Sequence, residues 1–568
     1  MPSLQVPSPP PFGMFFVAHL AKEAQTKMRP GPSLMLVGKR LSGPGLRDEK
    51  RCCISATARS IWLTPSAQCL RLGKPCGYPL KQHDTADDTD FLLQRIQQLE
   101  HRLEVAQSGS TSTPGLVGHT SNQPLAAAGP GSFPKAIILD ADLFTSLPRP
   151  GMHNIPGGTP GEVLDAIGFH TNAICELYFA GAHRWFPILS KKRLTQSLAS
   201  SPTELNPAVA LLLLGMKLLT EPLRSCDAPE TPLYQLTRQY ISATENAGAL
   251  NLLLVQTIVL TAIYELGHGI HPAAYLSVSR AAQIGHLLGL HDKDHASQMF
   301  KPPDTWTLCE EERRTWWAVV ILDRYVQCGM TGVPLATCEP RQGELLPCND
   351  NDWSQGLVGS NDPLFTASPL FATPGLQFAT VCRASHILGR VLRHRADHVL
   401  EFPDKLAEAF QLHRVLQSLE MSFIREGAPR DEIRTCDLPR ALVCSARFIL
   451  YNIYACNERY SGYKLGGESD MQKVSVDGLS TVALTVAQMA QRFKEDWEMG
   501  VRGHAPMLAH CMYQALGECA WFVREDPSPR MQYAFDTIAN ALKCMAHQWR
   551  VCDEYLKLFE NSEGTTIN

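Results

Sequence analysis

The sequence predicts an all-α protein, and three observations carry that prediction. From about residue 160 onward, apolar residues recur at helical spacing almost without interruption. No run of alternating apolar and polar residues marks a set of strands, and no short internal repeat is present. The 568 residues are 44% hydrophobic and 19% charged, which fits a folded body rather than a chain too polar to bury a core. That length is large for one core, so a large multi-helix domain preceded by smaller pieces is expected.

Taken in order, residues 1–65 are rich in Pro and Gly with no sustained period, and read as a disordered arm. Residues 66–80 contain CLRLGKPCGYP, from Cys69 to Pro79, a cysteine-bearing fragment. Across 90–107 the apolar residues Leu92, Ile96, Leu99 and Leu103 are spaced 4, 3 and 4, the seam of a short coiled coil through which two copies could pair. The same spacing also suits one amphipathic surface helix. Residues 108–160 read as a flexible linker, since 109–134 is dominated by Ser, Thr, Gly and Pro.

The helical body is expected over 161–560. Residues 208–219 and 249–264 are apolar on all sides and read as buried helices. Neither crosses a membrane: the first is twelve residues long and holds Lys217, against the ~20 that a bilayer requires, and the second is broken by Asn251 and Gln256. In 275–291, large and small side chains alternate, with Gly285 and Gly289 expected to allow close helix approach. Thr307 followed by Glu310 reads as a capping box, opening a helix that should run to about Val326. Glu310 stands three and four residues before Arg313 and Arg314, a favourable polarity for ion pairs. Further helices are expected over 376–394, 440–459 and 482–497.

Charge and cysteine usage narrow the function classes. The net charge of -4 does not favour a polyanion, but residues 39–81 hold nine Lys or Arg against two acids, a local attraction for one. Eighteen cysteines point to free thiols in a reducing compartment. The apolar stretch 12–20 has no basic residue ahead of it, so export is not expected.

No catalytic motif is legible: nucleophile elbow, P-loop and dinucleotide fingerprint are all missing. The acids, arginines and tryptophans of 310–323 read as packing, with Trp316, Trp317 and Val320 in the core. Arg313, Arg314 and Asp323 would then anchor that helix by paired hydrogen bonds. His286, His291 and His295 with Asp292 and Asp294 read as a polar turn rather than metal ligands. Neither a catalytic nor a cofactor-binding residue is assigned.

Four blocks then follow one another: CELYFAGAHRWFPILSKKRL (175–194), VQTIVLTAIYELGHG (255–269), YLSVSRAAQIGHLLGLH (275–291) and EEERRTWWAVVILDR (310–324). GVP (332–334) and LPCNDNDW (346–353) come after them. In this order, downstream of a cysteine fragment and a heptad run, the chain resembles the fungal zinc-cluster transcription factors and their all-helical middle region, the fungal-specific transcription factor domain. The resemblance covers roughly residues 165–460.

It implies a nuclear regulator of RNA polymerase II genes, not an enzyme. It implies zinc, dimerisation after the cluster, GC-rich DNA half-sites and control of one metabolic pathway, often a specialised-metabolite gene cluster. It also implies a helical body that tunes activation, with a small-molecule effector as a further partner.

In that family two zinc ions share six thiolates in a C-x2-C-x6-C, loop, C-x2-C-x6-C pattern. Cys69 and Cys76 match the closing x6 spacing and are the candidate metal ligands. Ser66 stands where the partner of Cys69 belongs, and upstream there are only the adjacent Cys52 and Cys53. Two accounts stay open, a mispredicted or alternative gene start and a real loss of the DNA reader, the latter leaving a partner-binding regulator. Cys69 and Cys76 are then either free thiols or, with Cys52 and Cys53, ligands of one zinc, which needs all four sulfurs at ~2.3 Å.

Overall fold

Eighteen α-helices account for the structure of the described residues. The first five are α1 (Ala136–Leu139), α2 (Ala141–Ser146), α3 (Gly161–Ile167), α4 (Thr171–Ala180) and α5 (Lys191–Ser200). Next come α6 (Pro207–Thr220), α7 (Pro232–Asn246), α8 (Leu252–Gly267), α9 (Ala273–Leu288), α10 (Trp306–Val326) and α11 (Asp350–Gln355). The last seven are α12 (Gln377–Ala396), α13 (Phe402–Phe423), α14 (Asp437–Tyr454), α15 (Glu468–Glu498), α16 (Leu508–Glu525), α17 (Pro529–Ala546) and α18 (Val551–Glu563). Among these residues the one extended pairing is an isolated bridge between Leu345 and Pro363. The all-α prediction holds.

The computed structural model describes residues 133–147, 149, 155, 157–200, 205–221, 228–365, 377–423, 437–456 and 467–563. All of them belong to one of the two units into which the chain divides. The arm, the fragment with Cys69 and Cys76, and the heptad Leu92, Ile96, Leu99 and Leu103 lie outside the described residues. Helices α1 and α2 fall inside the stretch read as a linker, and Phe144 of α2 is buried.

The two all-apolar segments form the centre. Asn206 caps α6 by accepting a hydrogen bond from the Ala208 amide at 2.9 Å, and Pro207 occupies the first turn, where its missing N–H costs nothing. Asn251 caps α8 in the same way from the Leu254 amide at 2.9 Å. Helix α8 packs between α6 and α9, and every residue of it but Leu253 is buried. α10 lies against α8, α9 and α12. From there the packing passes through α12 to α14, then to α15, α16, α17 and α18.

Helix α10 corrects one expectation. Its cap is Thr305, whose hydroxyl accepts from the Leu308 amide at 3.3 Å, so Thr307 lies inside the helix and there is no capping box. The other end, Val326, is where the sequence places it. Arg395 of α12 stops this end by donating to the carbonyls of Gln327 at 2.9 Å and Cys328 at 3.0 Å.

The two glycines of α9 do different work. A Cβ on Gly285 would stand 2.8 Å from the Trp316 ring, so this position sets how closely α9 approaches α10. Gly289 instead ends α9 in the left-handed conformation at φ 76°, which a side chain disfavours. Helix α14 also begins earlier than the sequence indicates, at Asp437, and is described to Tyr454.

Candidate functional site

The face of α10 that carries Glu310 and Arg314 meets the turn after α4, the 345–361 segment and the first turn of α12. Arg314 is fully buried, and its donors are all engaged. Nε donates to Glu310 Oε1 at 2.8 Å, and Nη1 donates to Asp350 Oδ1 at 2.7 Å and to the Pro187 carbonyl at 3.1 Å. Nη2 donates to the Cys348 carbonyl at 2.8 Å and faces the Cys348 sulfur at 3.6 Å. The guanidinium also stacks on Trp353, 4.8 Å from the ring centre.

The two carboxylates complete the knot. Glu310 accepts from the Cys348 amide at 2.8 Å, Asn361 Nδ2 at 2.8 Å and Arg313 at 2.6 Å. Asp350 Oδ2 accepts from the Phe378 amide at 2.9 Å, which fixes the start of α12. Burial pushes the Glu310 carboxyl up, but Arg314 and Arg313 outweigh it and hold that acid below its ordinary value. At Asp350 burial prevails over Arg314 and leaves the carboxyl raised.

A second anchor sits three turns further along α10. Asp323 accepts from the amides of Ala336 at 3.0 Å and Thr337 at 2.9 Å, and from the Thr337 hydroxyl at 2.7 Å. Arg324 donates to Asp323 at 2.7 Å and to the Cys338 carbonyl at 3.1 Å. Trp316, Trp317 and Val320 are buried, as expected, and Trp317 Nε1 donates to the Leu345 carbonyl at 3.0 Å. Arg313 departs from its expected role: its side chain is 22% exposed and pairs with Glu310 of its own helix.

His286 and His291 pack edge to face with each other, centroids 4.7 Å apart, and against Trp316. Asp292 caps its own turn, accepting from the His295 amide at 3.1 Å. Among the described residues no three His, Cys, Asp or Glu side chains are grouped so as to hold a metal.

Beside the Arg314 knot lies a cavity of about 330 Å³ that the sequence did not announce. Trp185, Asp350 and Phe378 supply one wall, and Asp437, Asp496 and the 501–508 segment supply the other. The rim is fixed from both sides by indoles: Trp185 Nε1 donates to the Gly503 carbonyl at 2.8 Å, and Trp549 Nε1 donates to the His504 carbonyl at 2.8 Å. His183 also lines the space. Burial pushes its imidazole down to about 3, with Arg314 and Lys191 adding to the effect, so it is neutral.

Comparison with known proteins places this architecture. The fungal specific transcription factor domain matches residues 175–417, which run from α4 through most of α13. Transcription factor BOA15 of Botryotinia fuckeliana is 37% identical over 137 residues, 24% of this chain and 76% of that protein. The chain belongs to this family of fungal transcription factors.

The family is one of regulators rather than enzymes. The pigment biosynthesis transcriptional activator pigB of Monascus ruber is 27% identical over 266 residues, 43% of this chain and 46% of that protein. The depudecin biosynthesis cluster-specific transcription activator DEP6 of Fusarium langsethiae is 27% identical over 168 residues, 28% of this chain and 27% of that protein. The chain thus spans under half the length of these two relatives. No solved structure matches.

The Arg314 knot lies wholly inside the family match. The cavity does not: Asp437, Asp496 and the 501–508 rim lie beyond residue 417. No helix of the described residues is long and apolar enough to cross a membrane.

Proposed function

We propose that this chain regulates transcription of the genes of one metabolic pathway, a specialised-metabolite biosynthetic cluster, from the nucleus. What supports this most is the family match over 175–417 together with relatives whose names are those of cluster-specific activators. The helical body is the regulatory part. Its knot of buried charge holds α10, α11 and α12 as one scaffold onto which the later helices pack.

DNA contact is assigned to the basic stretch 39–81, through zinc on Cys69 and Cys76, with a homodimer formed through Leu92, Ile96, Leu99 and Leu103 and GC-rich half-sites as targets. The donor set limits how much metal this stretch can carry. Cys52, Cys53, Cys69 and Cys76 are four thiolates, enough for one tetrahedral zinc and too few for a two-zinc cluster sharing six. That shortage favours a second reading, in which the chain reaches promoters through an intact relative paired along the heptad.

Purified full-length protein separates the two. Zinc content near one ion per chain, with salt-sensitive shifts of GC-rich duplexes, supports direct reading of DNA. Zinc-free protein that shifts no duplex overturns it and leaves the paired form. The wider proposal is tested by deleting the gene and profiling transcripts. Loss of a contiguous set of biosynthetic transcripts is expected, and an unchanged profile under producing conditions overturns it.

A further inference from the structure

The carboxylates that line the cavity beside the Arg314 knot are all engaged. Asp350 is held by Arg314 and the Phe378 amide, Asp437 by Arg492 with Arg440 beside it, and Asp496 has an interaction of its own. His183 is the exception among the buried polar groups of the lining. It is 8% exposed, and its ring is set edge to face on Phe179 with centroids 4.8 Å apart. Its Nδ1 is sealed in without a hydrogen-bond partner. Nε2 has no protein partner among the described residues either and is not sealed in, so it is the nitrogen that meets the open space.

The two nitrogens then take different roles. The ring is uncharged at neutral pH and carries a single proton. An orphaned buried N–H is rarer in folded proteins than an unmet buried acceptor, so the proton belongs on Nε2, where it can be donated into the cavity. Around that donor the lining is largely apolar, with Phe179, Trp185, Phe378 and Leu508. The arginines that share it, Arg184 and Arg502, are exposed, and Arg502 donates to the Trp497 and Val501 carbonyls. The volume of about 330 Å³ stands at the small end of the range for ligand pockets, roughly 300–1,000 Å³.

We propose that this cavity binds a small uncharged aromatic molecule bearing a carbonyl group, its oxygen accepting from His183 Nε2 and its ring lying against the aromatic lining. The assignment deepens the reading of the body as regulatory, and as regulation it rests on that reading. The ring supplies apolar burial and the hydrogen bond supplies orientation. Charge is selected against in both senses. An anion meets buried carboxylates and an imidazole that stays neutral, and a cation gives up its water to carboxylates that already have partners. An occupant touches both the family-matched 175–194 block and the 501–508 segment, so its binding energy favours the arrangement in which they are packed together.

Three probes with one ring separate these contributions: indole-3-carbaldehyde, 3-methylindole and indole-3-carboxylate, titrated calorimetrically into the full-length protein at neutral pH. The aldehyde should bind roughly fivefold more tightly than 3-methylindole, the size of one hydrogen bond, and the carboxylate should not bind. His183→Phe keeps an aromatic ring and removes the donor, and should bring the aldehyde down to the affinity of 3-methylindole. Benzophenone, an uncharged aryl ketone that on irradiation bonds to neighbouring C–H groups, gives the location. Its label should fall within 179–187, 378–381 or 501–508.

Equal affinity for the aldehyde and 3-methylindole, binding of the carboxylate as tight as that of the aldehyde, no aldehyde binding at millimolar concentration, or label confined to other segments overturns the site. Should His183→Phe fail to fold, the wild-type titrations and the label decide. These readouts use neither DNA nor transcription. Aldehyde binding with an unchanged transcript profile after gene deletion would sink the regulatory reading and keep the site. The opposite pair of results would sink the site and keep the reading.

Discussion

Two groups of buried charge show how differently one chain can hold ions away from water. Around Arg314 every guanidinium N–H has an acceptor, and most of the distances fall between 2.7 and 2.8 Å. Around α14 the contacts are slack: Arg440 reaches Glu420 at 3.5 Å and Arg492 reaches Asp437 at 3.3 Å. Among the described residues, Glu420 Oε2, Arg440 Nε and Arg492 Nε have no hydrogen-bond partner. A saturated network fixes one arrangement, because any shift leaves a charge bare. A slack one can be rearranged at little cost, and it reaches the cavity beside the Arg314 knot through Asp437.

The sharpest way to break this contrast is at Arg314. Arg314→Met would strand Glu310 and Asp350 in a dry site and should cost about 3–5 kcal/mol, read as a fall in the urea midpoint. A wild-type midpoint would mean that the knot is not structural. Asp323→Ala comes next. It leaves the amides of Ala336 and Thr337 without their acceptor and Arg324 with the more distant Glu339 as its counter-ion, at a cost of about 2–4 kcal/mol. An unchanged melting temperature and solubility would remove Asp323 from the scaffold.

Glu518 extends the comparison to pH. Burial lifts its carboxyl to about 7 from an ordinary 4.5, and Asn452 Nδ2 donates to it at 3.1 Å. Between those values the folded chain keeps a proton that the unfolded chain releases, so this group subtracts stability as pH rises through the window. Glu518→Gln should therefore match wild type at pH 5 and exceed it at pH 8, by on the order of 2–3 kcal/mol. Equal stability at both pH values would show that the site is wetter than its burial indicates. His510, pushed down to about 4 mainly by burial, works in the other direction and adds stability as pH rises toward 6.5.

The smallest effect is expected in the slack group itself. Replacing Arg440 with Met and Glu420 with Leu together should stay within about 1 kcal/mol of wild type, since an imperfect ion pair is traded for packing. A loss as large as that of Arg314→Met would abolish the distinction between the two groups.

Much of the fold is legible in local pattern. The apolar runs of α6 and α8 have no polar face, so burial on all sides follows directly. The close spacing of Glu310, Arg313 and Arg314 likewise announces their ion pairs. What failed was the capping box, because Glu310 is drawn to the Cys348 amide, 38 residues away, rather than to its own helix end. Asp350 sits in LPCNDNDW, a block that stands out in sequence, yet nothing in its spacing reveals that Arg314 and the Phe378 amide meet there. The cavity is less legible still. Trp185, Asp437 and Asp496 are brought together by helix packing alone, with no periodicity to connect them.

The central claim, that this chain acts at promoters, is tested most directly by chromatin immunoprecipitation of the full-length protein tagged at its own locus. The account predicts enrichment upstream of a contiguous set of biosynthetic genes. Recovery no greater than from an untagged strain, while that pathway is active, would contradict it.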